Sequence, residues 1–319
     1  MSKIALVIGN SNYGEDDVSG RQDAILMNTA LKQLGFTWTK QVPDGDLVTI
    51  RAALKDFKDQ MDGASVVVFF YSGHGFQLDR KNYLYPIDGT LDSLGSLSLD
   101  EVQVVLGFAS NTAVKLVILD ACRTEKGLPD GAPQGFDQEQ APPLPGSLYA
   151  FAAGPNLVAA SGKPDGTSPY TAALLRHIRE PGLSLGDLFG TVLAELMKVG
   201  QSPAFLNNGV PLGFFLRDPV TVNARVDQAD DDLILVLPGG IALDANDQKE
   251  KVLTLKSGDN PISLLVFNEK TFHNGQSWEK TEGWEYDLKV TLPDGSVVPF
   301  TDSEDVVFKD GPHHGSCSK

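Results

Sequence analysis

Four short apolar segments dominate the first part of the chain. Each is a nearly continuous hydrophobic run, and they lie at residues 3–8 (KIALVI), 65–71 (SVVVFFY), 114–119 (VKLVIL) and 147–153 (SLYAFAA). A run without polar alternation is typical of a strand that is buried on both faces of a parallel sheet. The pattern therefore predicts four strands of one central sheet.

Helical periodicity separates and follows these runs. Apolar residues recur every three or four positions at 23–34, 48–61, 169–178 and 185–198. Strands that alternate with helices predict an α/β fold, with a mostly parallel sheet flanked by helices. A last short strand is predicted at 212–216.

The pattern changes near residue 218. From residue 219 onward, short apolar runs are separated by turn sequences such as PGG, SGDN, NG and PDG. Turn signals at this spacing predict a small all-β domain with a sandwich-like arrangement. We therefore divide the chain into an α/β domain at 1–218 and a β-rich accessory domain at 219–319.

The charge composition restricts the kinds of partner that we expect the protein to bind. The 319 residues include 26 Lys and Arg against 42 Asp and Glu, which gives a formal net charge of −16. Such a chain is repelled by phosphate backbones and anionic lipids, so we expect neither a nucleic-acid nor a membrane partner. With only Cys122 and Cys317, and no apolar run near the length of a membrane span, we expect a cytoplasmic protein. No His or Cys spacing suggests a metal or another cofactor.

Two reactive side chains follow two of the predicted central strands. His74 comes after the run 65–71 and Cys122 after the run 114–119, so both are expected at the carboxyl edge of the sheet. A thiol reacts as its thiolate, and a nearby imidazole can accept that proton and deliver it to a leaving amine. We interpret Cys122 and His74 as nucleophile and base, with the N–H groups of Gly75 and Cys122 as oxyanion donors. Either residue alone would more often be structural.

The spacing of this pair resembles that of caspases. His74 lies 48 residues before Cys122, and DACRT at 120–124 matches the caspase nucleophile signature except at its first and last positions. Further matching segments follow in the same order: GN at 9–10 with Tyr13, GRQDA at 20–24, YSGHG at 71–75, NYL at 82–84 with Pro86 and Asp88, YAFAA at 149–153, GTSPYT at 166–171, and Gln201 with Pro203. Over residues 3–217 the chain is identified as a member of the caspase, metacaspase and paracaspase superfamily, most similar to the prokaryotic metacaspase-like (orthocaspase) proteins.

The resemblance implies a cysteine endopeptidase with a caspase-like fold. In metacaspases and paracaspases the residues that match Asp120 and Asp23 line the primary specificity pocket, whereas caspases have Gln at the position of Asp120. Carboxylates pair with basic side chains through charge-assisted hydrogen bonds, so we expect protein substrates cleaved after Arg or Lys. Asp23 has the alternative role of a helix N-cap or first-turn acid, and Asp165 is expected in a solvated turn.

A loop rich in proline and glycine follows the cysteine at 124–146. In this superfamily the matching segment is often the linker whose cleavage activates the enzyme. The resemblance therefore implies a zymogen-like protease that is cut in this loop, by itself or by a partner protease. Lys126 is the only basic residue of the loop. The alternative is a flexible cover loop.

Some features depart from the family pattern. Calcium-dependent metacaspases carry an acidic cluster soon after the His-Gly pair, but residues 76–81 hold one acid beside two bases, so no calcium site is predicted there. The acids at 230–232 are expected in a solvated turn, and the polar tail at 311–319 is expected to lack regular structure.

The resemblance further implies a monomer that works in a prokaryotic signalling or defence cascade. Two alternatives remain from the sequence. One is a catalytically weak pseudo-protease or scaffold that acts through its β domain. The other is a different cysteine hydrolase on the same sheet, which the carboxylates of the expected pocket make less favourable.

Overall fold

A computed structural model gives the arrangement of the chain. It describes residues 2–14, 18–79, 81–90, 94–123, 136, 144–154, 157, 159–163, 166–229, 233–237, 241–244, 250–255, 262–266, 280–291, 297–308 and 313–317. At residues 122–123, and from residue 220 onward, the description concerns the backbone alone. The chain divides into two compact units, Met1–Arg179 with Ser184–Leu216, and Glu180–Leu183 with Arg217–Lys319.

The first unit alternates strands and helices, as the periodicity predicts. Its strands within the described residues are β1 Ser2–Gly9, β2 Trp38–Pro43, β3 Ala64–Leu78, β4 Lys81–Leu84, β5 Leu97–Ser98, β6 Val114–Arg123, β7 Ser147–Phe151 and β8 Ala204–Asn208. Its helices there are α1 Gly20–Gln33, α2 Leu47–Lys58, α3 Leu99–Leu106, α4 Pro169–His177 and α5 Leu185–Met197. The four predicted central strands and the four predicted helices are confirmed, with bounds shifted by a few residues.

One sheet organises this unit. Its strand order is β2-β1-β3-β6-β7-β8, while β4 pairs with β3 and β5 pairs with β4. The first five strands of that order run parallel to one another, and β8 is antiparallel to β7. The predicted α/β class with a mostly parallel sheet and flanking helices is therefore confirmed.

The predicted strand at 212–216 is wrong. Those residues form turns, with a single bridge between Phe215 and Ser184. The antiparallel edge strand is instead β8, which was not predicted because its residues are alternately half-buried and exposed and form no apolar run. Edge strands such as β8 bury less side-chain surface than central strands, which weakens their sequence signal.

Helices cover both faces of the sheet. On one face, Ile4, Leu6 and Ile8 of β1 belong to a buried cluster that includes apolar residues of α2 and α3. Helix α1 packs on the other face, where a Cβ atom at Gly9 would lie 2.4 Å from the Cβ of Ala24. This close approach of helix to strand needs glycine at position 9.

The length of β3 positions the candidate site. β1 ends at Gly9, opposite Ser72, but β3 continues along β6 and then pairs with the antiparallel β4. His74 and Cys122 therefore lie inside the carboxyl-terminal parts of β3 and β6. The prediction that each residue comes after its strand is wrong, because neighbouring strands keep these backbones paired beyond the apolar runs.

The second unit is built from antiparallel strands. They are β9 Val220–Ala229, β10 Leu233–Leu237, β11 Ile241–Asp244, β12 Glu250–Leu255, β13 Ile262–Val266, β14 Lys280–Thr291, β15 Val297–Phe308 and β16 His313–Cys317. They form two four-stranded sheets, ordered β11-β10-β13-β16 and β12-β9-β14-β15. The expectation of an irregular tail is wrong, because β16 pairs with β13.

Two predictions about this unit stay predictions, the boundary at 218 and the sandwich-like arrangement. The acids at 230–232 lie outside the described residues. Among the helices of the described part of the chain, none combines the length and the apolar character that crossing a bilayer requires.

Candidate active site

The predicted nucleophile and base occupy paired positions in the sheet. His74 of β3 and Cys122 of β6 are register partners in adjacent parallel strands. Adjacent strands lie about 4.8 Å apart, so the two backbones are direct neighbours. Gly75 is paired with Arg123 on one side and with Leu84 on the other. Cys122 is described by its backbone alone, so its reactivity stays a prediction, as does the role of the Gly75 N–H.

A small cavity adjoins His74 at this edge of the sheet. Its volume is about 190 Å³, and its lining includes Ser72, Gly73, His74, Asp120 and Ser168. Among the described lining residues, Asp120 is the one carboxylate, and Lys and Arg are absent. The cavity therefore offers a negative group and several serine oxygens to a ligand next to the candidate base.

Asp120 is buried in the lining of the cavity. Its exposed fraction is 5%. Its Oδ2 atom accepts hydrogen bonds from the Thr171 hydroxyl at 2.6 Å and from the Ser168 hydroxyl. Among the described residues, every side-chain hydrogen bond to this carboxylate ends on Oδ2. Asp120 is therefore fixed by two neighbouring hydroxyls in the wall of the cavity.

Asp23 lies behind the cavity wall. This residue is fully buried in the first turn of α1. Its Oδ2 atom accepts from the hydroxyls of Ser19 and Ser72, both at 2.8 Å, and its Oδ1 atom accepts from the Ser168 N–H at 3.0 Å. All three donor residues line the cavity, whereas Asp23 does not. The structure thus places Asp23 both in a helix first turn and directly beneath the pocket lining.

Ser168 connects the two acids. Its N–H donates to Asp23 and its hydroxyl donates to Asp120. The same hydroxyl accepts from the Thr171 N–H at 2.9 Å, which makes Ser168 the N-cap of α4, with Pro169 at the first helical position. The sequence predicts no role for Ser168 beyond its place in the matching segment GTSPYT. A serine before proline at a helix start is a recognisable capping signal, but capping alone does not indicate contact with two acids.

The pKa values of both carboxylates are raised. Burial raises the pKa of Asp23 to about 7, and the nearby charge of Asp120 adds to this rise while the three hydrogen bonds oppose it. Burial also raises the pKa of Asp120, against the hydrogen bonds from Ser168 and Thr171. Two buried acids of this kind hold less than two negative charges at neutral pH. A cation in the cavity would favour their ionised forms.

Comparison with known proteins gives the family of the chain. The sequence pattern described as Caspase domain matches residues 2–211, about two thirds of the chain. The chain belongs to the caspase domain family. This family comprises cysteine peptidases, so the predicted superfamily is confirmed, while the closer assignment to orthocaspases stays a prediction.

A solved structure also resembles the chain. It is that of protein GSU0716 from Geobacter sulfurreducens, at 18% sequence identity and a TM-score of 0.51, and the match covers 68% of this chain and 97% of that one. At this identity the likeness concerns the fold alone. Among curated proteins, none matches the chain.

One residue of the expected linker is anchored in the core of the caspase domain. Phe136 is buried, and its ring centroid lies 6.1 Å from that of Phe151. A Cβ atom at Gly75 would lie 2.6 Å from the Phe136 ring, so this packing needs glycine at that position. Most of the segment 124–146, including Lys126, and also Asp165, lie outside the described residues.

Proposed function

We propose that the chain is a cysteine endopeptidase that cleaves proteins after Arg or Lys, with Cys122 as nucleophile and His74 as general base. The observation that carries this proposal is the cavity beside His74, whose one described carboxylate, Asp120, accepts hydrogen bonds from the hydroxyls of Ser168 and Thr171. The register of His74 and Cys122 supports the dyad, because it makes the two backbones neighbours. Membership of a cysteine peptidase family supports the reaction class.

The reaction follows from the chemistry of the two side chains. His74 takes the proton of the Cys122 thiol, and the thiolate attacks the carbonyl carbon of the scissile peptide bond. The N–H groups of Gly75 and Cys122 stabilise the oxyanion that forms. When the carbon–nitrogen bond breaks, His74 delivers the proton to the leaving amine. Water then hydrolyses the thioester and restores the thiol.

Selection for a basic residue follows from the lining of the cavity. A guanidinium carries five N–H donors and an ammonium carries three, and neither accepts a hydrogen bond. The carboxylate of Asp120 and serine oxygens of the lining supply acceptors, while Asp23 adds negative charge from behind the wall. An aspartate side chain in the same place would meet two buried acids. We therefore propose Arg and Lys as the residues that precede the cleaved bond.

Regulation by cleavage within 124–146 is part of the proposal. The anchor at Phe136 supports it, because its ring contacts the backbone at Gly75, one residue from the candidate base. A rearrangement of the linker that moved this ring would alter packing at the strand end that carries His74. The cut is made by the enzyme itself or by a partner protease, and Lys126 is the candidate position for self-cleavage.

Hydrolysis of fluorogenic peptides tests the proposal. Peptides that end in Arg, Lys, Asp or Ala before the reporter group are compared for the wild type, Cys122→Ala and the matched control Cys317→Ala. We expect turnover of the Arg and Lys peptides by the wild type and by Cys317→Ala, and none by Cys122→Ala. Turnover of the Asp peptide alone would overturn the specificity. Absence of turnover in both intact and linker-cleaved protein would favour the scaffold alternative.

A further inference from the structure

Two tyrosine hydroxyls hold the backbone of His74. The His74 N–H donates to the Tyr13 hydroxyl at 3.1 Å, and the Tyr71 hydroxyl donates to the His74 carbonyl oxygen at 2.7 Å. The Tyr85 N–H also donates to that oxygen, at 2.9 Å. Both the N–H and the carbonyl oxygen of the candidate base therefore make hydrogen bonds.

Tyr13 also contacts the imidazole itself. The ring centroids of Tyr13 and His74 lie 4.5 Å apart, with an angle of 47° between the ring planes. Tyr13 is itself held in place by Tyr85. The Tyr13 hydroxyl donates to the Tyr85 carbonyl oxygen at 3.0 Å, and the Tyr13 ring stacks on the Tyr85 ring. The direction of a side chain follows from its backbone and from its packing, and Tyr13 restrains both for His74.

β1 ends before it reaches His74, and the Tyr13 hydroxyl binds the His74 N–H instead. β1 pairs with β3 only as far as Gly9 and Ser72. Tyr13 belongs to the segment that follows β1. Its hydroxyl accepts the hydrogen bond from the His74 N–H. Gly73 makes room for it: its φ is +153°, and a Cβ atom there would lie 2.6 Å from the Tyr13 hydroxyl oxygen. The sequence predicts no role for Tyr13 beyond its place in a matching segment.

The hydroxyls are suited to this double role at any working pH. Burial raises the pKa of Tyr13 and of Tyr71 well above the usual value, so both groups stay neutral. A neutral hydroxyl donates one hydrogen bond while it accepts another. Tyr13 therefore accepts from His74 and donates to Tyr85 at the same time.

We propose that Tyr13 and Tyr71 are positioning residues that orient the His74 imidazole toward Cys122. This inference rests on the proposed function, in which His74 is the base. Neither tyrosine is assigned contact with substrate. Loss of either hydroxyl removes one hydrogen bond from the backbone of His74, and small displacements of a base change rates strongly.

The test compares Tyr13→Phe and Tyr71→Phe with Tyr149→Phe, which removes the hydroxyl of a buried tyrosine in β7. With an Arg peptide, we expect both test variants to lower kcat by about tenfold or more and to leave KM within about twofold. Tyr149→Phe should keep the wild-type kcat. Tyr13→Leu, which removes the ring as well, should lose more than Tyr13→Phe. Unchanged kcat in both Phe variants, or an equal loss in Tyr149→Phe, would overturn the inference.

A second measurement separates this inference from the proposed function. Alkylation of Cys122 by iodoacetamide is followed against pH in a Cys317→Ser background, where it needs no peptide substrate. We expect the pH profile of Tyr13→Phe to move toward that of an isolated thiol, because a misplaced imidazole no longer stabilises the thiolate. If the wild type hydrolyses no peptide but the profile still moves, the proposed function fails and the positioning role stands. An unmoved profile refutes the positioning role.

Discussion

Replacement of Asp120 by asparagine tests the specificity pocket most directly. The change keeps the size of the side chain and one carbonyl oxygen for the hydroxyls of Ser168 and Thr171. It replaces the other carboxylate oxygen by an amide NH₂ and removes the negative charge. A guest cation then loses its charged hydrogen-bond acceptor.

The expected loss is large because the site is buried. A hydrogen bond to a charged group contributes about 1.5–3 kcal/mol, and unit charges about 4 Å apart near a protein surface attract by about 4 kcal/mol. The raised pKa of Asp120 offsets part of this, since the acid must first release its proton, and Asp23 remains nearby. We therefore expect a loss of about 3 kcal/mol, or roughly 150-fold in kcat/KM for an Arg peptide.

The assay measures kcat/KM for Arg and Ala peptides with Asp120→Asn and with a surface control, Asp62→Asn. The Arg peptide should lose roughly 150-fold with the pocket variant, the Ala peptide should change by less than about threefold, and the control should behave as wild type. Thermal melting checks that both variants fold. Equal losses for the two peptides, or a change below about threefold for the Arg peptide, would refute the assignment of Asp120 as the acceptor of a basic side chain.

Three further predictions concern stability and the pocket. Because folded Asp23, with its pKa raised to about 7, keeps a proton that the unfolded chain releases near pH 4, the free energy of unfolding should fall as pH rises between these values. Urea unfolding at pH 5 and 7.5 measures this, and an unchanged pH dependence in Asp23→Asn would contradict it. Phe136→Ala should lower the free energy of unfolding by about 3 kcal/mol in urea titrations, and the exposed control Phe108→Ala by less than about 1 kcal/mol; similar losses would count against the anchor. Ser168→Ala should lower kcat/KM for Arg peptides several-fold while Ser161→Ala, another lining residue, does not, and equal effects would show that Ser168 has no special role.

The central part of the fold could be predicted because its strands are buried on both faces. β1, β3 and β6 contain continuous apolar runs, and the helices between them keep a clear period. β2 and β8 lie at the two edges of the sheet, where nearly all of their residues are partly or fully exposed, so their sequences WTKQVP and AFLNN show no such run. An edge strand forms because it pairs with its neighbour, and the hydrophobic pattern of its own sequence does not show this pairing.

The candidate site could be predicted only in part for a related reason. The positions of His74 and Cys122 follow from two strands that carry strong local signals. The hydrogen bonds around Asp23 come from Ser19, Ser72 and Ser168, which belong to three different parts of the chain. Serine has no distinctive sequence pattern, and only the folded arrangement brings these three hydroxyl-bearing residues to one acid.

The pairing of β6 with β7 determines what a cut in the linker would leave behind. These strands lie side by side in the sheet, although residues 124–146 separate them along the chain. A break after Lys126 would produce two polypeptides that remain joined by a shared hydrogen-bond ladder and by the buried ring of Phe136. Denaturing gels would show two bands, while the mass of the native particle would stay that of one intact chain.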